Sequence, residues 1–90
     1  MGKPFSPGDR ARYDTVRRQV RHRMRATARS GRITLPQVVA ALREAGYRRS
    51  PRYVRAVLAG EKTSRPALRE ISAAIEALRA EAERELPDWL

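Results

Sequence analysis

Residues 34–60 read TLPQVVAALREAGYRRSPRYVRAVLAG, and two helix-start signals and two glycines divide this stretch into a pair of short helices. Thr34 followed three residues later by Gln37 is a capping box, in which each side chain satisfies the other residue's free backbone N–H. Ile33 and Val38 stand where a hydrophobic staple would close across that cap. Leu35, Val38, Val39 and Leu42 then recur at helical spacing, and Gly46 stops the run. The second start is Ser50 as N-cap with Pro51 at the first helical position, where a missing N–H costs nothing. Val54, Val57 and Leu58 form one narrow apolar stripe, and Gly60 ends it.

Working outward, the preceding stretch VRRQVRHRMRATARSGR, residues 16–32, holds seven arginines and no acid. Its apolar positions predict a first helix from about Asp9 to Arg29, with Tyr13, Val16, Val20, Met24 and Ala28 inward and Ser30-Gly31 as its stop. Residues 1–8, with Gly2, Pro4, Pro7 and Gly8, read as a flexible arm. Downstream, Ser64 caps a fourth helix reaching about Glu85, and Leu68, Ile71, Ile75, Leu78 and Ala82 are spaced 3, 4, 3, 4 as in a heptad seam. Such a helix, roughly 30 Å long, exceeds what the short helices need. Its first half belongs in the core. Ala82, Leu86 and Trp89 are the expected homodimer contact, and residues 87–90 form a tail. The predicted fold is all-α: a compact four- to five-helix domain over residues 9–86, with a helix-turn-helix and a long C-terminal helix.

Composition narrows function. The net charge is +10, with fifteen Lys/Arg against three acids in residues 1–60 (+12) and five against seven in residues 61–90 (−2). This asymmetry predicts a polyanionic partner for the first two thirds. Eighteen of the twenty cations are arginine, whose planar fork suits phosphates and base edges. There is no cysteine and one histidine, so no thiolate metal site forms and His22 has no assigned role. No Gly-rich phosphate loop, metal-ligand spacing or nucleophile–base pair is present, and the reading is of a non-enzyme without cofactor. The longest apolar run, residues 38–42, is too short to span a bilayer, and the N-terminus shows no apolar leader. A soluble, cytoplasmic and nucleoid-associated protein is expected.

The two short helices resemble the helix-turn-helix of the Cro/lambda-repressor-type (XRE-like) family over roughly residues 33–78. The matching features are the Thr34 cap with Gln37, the Gly46 turn, the Ser50-capped second helix and the closing Val57-Leu58-Ala59-Gly60. The turn departs from the standard motif: Gly46 precedes Val54 by eight residues instead of six. The resemblance implies sequence-specific binding of double-stranded DNA by a bacterial or phage transcriptional regulator, a homodimer reading the major groove with helix 50–59. Arg52, Arg55, Tyr53 and Ala56 would then reach bases. The phosphate set would be Arg17, Arg21 and Arg25 on the first helix, Arg32, Thr34 and Gln37 at the second, and Arg48, Arg49, Ser50, Lys62 and Thr63 around the third. Two other readings stand beside it: an RNA binder using the arginine-rich helix 16–32, and a basic module docking on an acidic surface of the transcription machinery such as RNA polymerase.

Overall fold

The computed structural model describes residues 6–25 and 32–84, and these fold as four α-helices with no strand. They are α1 (Pro7–Arg25), α2 (Leu35–Glu44), α3 (Pro51–Ala59) and α4 (Arg65–Arg84). Ala28, Arg29, the Ser30-Gly31 stop, Leu86, Trp89 and the 87–90 tail lie outside the described residues, so those expectations have no structural counterpart.

Each start follows from local chemistry. Thr34 Oγ1 accepts from Gln37 N at 3.4 Å while Gln37 Oε1 accepts from Thr34 N at 2.7 Å, closing the capping box. Ser50 Oγ accepts from Tyr53 N at 3.1 Å, and Ser64 Oγ from Ala67 N at 3.2 Å. The first helix starts two residues earlier than expected. Ser6 Oγ accepts from Asp9 N at 3.1 Å, so α1 begins at Pro7 with the same Ser-Pro cap that opens α3. At the other ends, Gly46 and Gly60 take left-handed backbone, φ 96° and 87°. At Gly46 this lets Tyr47 N–H return to Leu42 O at 2.8 Å and Gly46 N–H to Arg43 O at 3.0 Å, the Schellman pattern.

The helices share one core. α4 packs against α1, α2 and α3, α2 against α3, and α1 against α3. Val38, Leu42, Val54, Val57, Ile71 and Ile75 are completely buried at its centre. Tyr13 is buried too, and its hydroxyl accepts from Ser64 N at 3.0 Å and donates to Ser64 O at 3.4 Å, tying α1 to the α4 cap. The first half of the α4 seam is core as expected, joined by Ala67 and Ala74, while Leu78 and Ala82 are half-buried.

One expected core residue is not there. Val16 is 46% exposed. The inward row of α1 runs Tyr13, Arg17, Val20, Met24, with steps of 4, 3 and 4 that stay on one face. Arg17 occupies the position given to Val16.

Candidate functional site

α3 buries Val54, Val57 and Leu58 and turns Arg52, Arg55 and Ala59 outward, with Ala56 half-buried between them. The nine-residue helix is therefore a short rod, one side apolar and the other carrying two arginines among small residues. That outward face lies beside a groove of about 360 Å³ where three parts of the chain converge. Arg21 and Arg25 come from α1, Arg32 from the segment ahead of α2, and Arg55 from α3, over a floor of Met24, Leu35 and Leu58. Ile33 N–H bonds to Met24 O at 2.8 Å and holds the end of α1 against the start of α2, which brings these arginines together. Among the described residues no carboxylate lines the groove, and none of the four makes an ion pair.

A second basic hollow, about 460 Å³, sits at the other end of α3 and is lined by Arg43, Arg48, Arg49, Ser50 and Pro51. Arg43, at the end of α2, was not singled out in the sequence. Only the α2–α3 turn brings it beside Arg48. A third, about 450 Å³, lies along α1 between Arg18, Arg21, His22 and Arg25. Arg18 and His22 join the basic surface only because the helix repeat stacks them with Arg21 and Arg25.

Several residues expected to meet phosphate are engaged within the protein instead. Arg17 is the clearest. Its side chain is only 14% exposed, Nη1 donates to Leu58 O at 3.0 Å, and Nε lies 3.6 Å from Asp14 Oδ1. The guanidinium covers Gly60 so closely that a Cβ there would stand 3.1 Å from Arg17 Cζ. It thus satisfies a free carbonyl at the end of α3 and sits where the helix dipole favours a cation.

Arg49 makes a two-pronged contact with Glu70, Nε to Oε1 at 3.1 Å and Nη2 to Oε2 at 3.3 Å, and lies over the Tyr53 ring at 5.2 Å from its centroid. Hydrogen bonding to Glu70 raises the Arg49 pKa above its ordinary value, against a smaller opposing effect of burial. Tyr53 accordingly sits half-buried against the core, beneath Arg49. Thr34, Gln37 and Ser50 spend their side-chain oxygens on helix caps, and Thr63 Oγ1 accepts from Arg10 Nη1 at 2.9 Å. Lys62 and Arg48 remain exposed without ion pairs among the described residues.

The described residues contain no cluster of three or more metal-ligating side chains and no helix long and apolar enough to cross a membrane. The chain matches no known family model, no curated protein and no solved structure.

Proposed function

We propose that the protein binds double-stranded DNA by seating α3 in the major groove, as a transcriptional regulator of the Cro/lambda-repressor type acting on the nucleoid. The observation that carries this reading is the outward face of α3, with Arg52 and Arg55 among small residues and, at its two ends, Arg43 and Arg48 and then Arg21, Arg25 and Arg32, which make no ion pair among the described residues. A helix enters the major groove, about 12 Å wide, only if its leading face is slim. Ala56 and Ala59 keep it so, while the arginine forks have the reach for guanine O6 and N7. Arg43 and Arg48 at one end, and Arg21, Arg25 and Arg32 at the other, would neutralise the flanking phosphates. Relative to the reading of the sequence alone, Arg17, Arg49 and Tyr53 become supports of this surface and Arg43 joins it.

Selection of bound sites from random duplex, with structured RNA as competitor, tests the reading. Arg52→Ala and Arg55→Ala should each lose about 1–3 kcal/mol on the selected site and relax preference at particular base pairs. Equal weakening on selected and random duplex would make both arginines phosphate contacts only. Preference for the structured RNA would favour α1 as the reader, and binding to neither would leave an acidic protein surface as the partner.

A further inference from the structure

On the flank of the molecule away from those arginines, α1 and α4 leave an open groove of about 630 Å³ between them. Its floor is apolar, built from Tyr13 and Val16 of α1 and Leu68 and Ala73 of α4. Val16, a β-branched aliphatic side chain nearly half exposed, and Ala73 are the parts of this floor left in water. The rim is cationic: Arg12, Arg65 and Arg69, against the single carboxylate of Asp9, which stands 3.9 Å from Arg65. Arg12 and Arg69 make no ion pair among the described residues.

The chain carries a segment of complementary chemistry. Residues 81–90, EAERELPDWL, hold four acids against one arginine, together with Leu86, Trp89 and Leu90. We infer that this segment of a second copy of the chain docks in the α1–α4 groove, with Leu86 and Trp89 on the apolar floor and Glu85 and Asp88 against Arg12 and Arg69.

Two arguments select this occupant. Pairing groove to groove would set Arg12, Arg65 and Arg69 of one copy against the same three of the other, and like charges brought together at an interface are costly. Nor can a chain set its own Leu86 on that floor. Ala73 lies eleven residues before Arg84 on α4, about 16 Å along the axis. Leu86 is two residues past Arg84 and reaches back at most about 7 Å even when extended. The exchange is therefore between copies, and reciprocal exchange makes a closed two-fold dimer. On α1, Val16 lies about 140° around the helix from Arg21, so the dimer leaves the arginine flank uncovered. The dimer is independent of the DNA reading and is tested without nucleic acid.

The test is a charge exchange followed by sedimentation. The wild type at high micromolar concentration should be a dimer. Arg12→Glu with Arg69→Glu makes the groove acidic, and Glu85→Arg with Asp88→Arg makes the segment basic. Each double variant alone should self-associate at least about tenfold more weakly. Mixed in equal amounts they should pair again, because acidic segment meets basic groove and basic segment meets acidic groove. Restored pairing also proves both variants folded. Trp89, the only tryptophan, reports the same event: its emission should move to shorter wavelength as concentration rises. A monomeric wild type, two variants that still dimerise alone, or a mixture that stays monomeric would overturn the inference.

Discussion

The arginines that reach α4 and those that surround α3 share one chemistry in opposite circumstances. Toward α4, two of them hold an acid, Arg49 pairing with Glu70 and Arg23 with Glu76 through Nε and Nη2, and Arg79 of α4 adds a bond from Nη1 to Arg23 O at 2.9 Å. Around α3, Arg21, Arg25, Arg32, Arg52 and Arg55 have no ion pair among the described residues. The surplus of acids in the last third is thus in part a counterweight, consumed one by one by arginines from the first two thirds. Most of the arginines without an ion pair among the described residues lie around α3, with Arg12 and Arg69 on the α1–α4 flank as a smaller group. Net charge alone predicts a polyanion partner but not which arginines meet it, and the pairing with α4 is what sorts them.

Arg17 is the exception that sharpens this comparison, since it sits on the α3 side and is nevertheless committed to the fold. Arg17→Ala should destabilise by about 1–3 kcal/mol, because it strips a partly buried carbonyl of its donor and removes the cover over Gly60. Arg21→Ala, one turn further along α1, should stay within about 0.5 kcal/mol. Urea denaturation of the two variants side by side decides it. Equal losses would mean that Arg17 is surface like its neighbour.

The reasons this was hidden in the sequence are physical. Caps are local, and Thr34 with Gln37 or Ser50 with Pro51 can be read from residues within one turn. Ser6-Pro7 carries the same signal, but Gly2, Pro4 and Gly8 around it suggested an arm. The apolar row Val16, Val20, Met24, Ala28 advances by four at every step and so drifts 40° per step around a helix. The true row alternates four and three and therefore has to pass through Arg17, which a search for apolar residues skips. Ala67 and Ala74 were missed because small residues mark a core position only when a neighbouring helix is known to press on it. The exposed face of α3 was legible, since one short apolar stripe fixes its opposite side. The partners of Arg17, Arg23 and Arg49 were not, because they lie 41, 53 and 21 residues away.

The α4 side can be probed through pH. Hydrogen bonding from Arg23 holds the Glu76 carboxyl below its ordinary value, outweighing the opposite effect of burial. A carboxylate depressed in the folded state adds stability above the unfolded value, about 4.3 for Glu, and that stability disappears as pH falls through the lowered value. Both side chains are nearly half exposed, so Glu76→Gln should cost only about 0.2–1 kcal/mol at neutral pH. The difference between wild type and variant should then shrink toward zero in melts below the ordinary carboxylate range. A difference that persists unchanged in acid would assign the effect to packing instead of charge.

The smallest effect on the fold is expected where the arginines have no ion pair among the described residues. Replacing Arg21, Arg25 and Arg32 together by glutamine removes no ion pair among the described residues. Glutamine's helix propensity is close to arginine's, and Arg21 and Arg25 are like charges one turn apart on α1. Losing that repulsion should raise stability by a few tenths of a kcal/mol, the reverse in sign of the Arg17→Ala effect. Binding should move the other way. Each phosphate left unneutralised removes about 0.9 from the slope of log affinity against log salt on B-form DNA, so the slope should become shallower by nearly three if all three arginines touch phosphate. The loss should be similar on the selected site and on random duplex, because phosphate contacts carry no base information. A folding defect would weaken binding and stability together, so their opposite movement is what separates an interface from a scaffold. An unchanged slope would place the DNA elsewhere and leave these arginines as solvated surface.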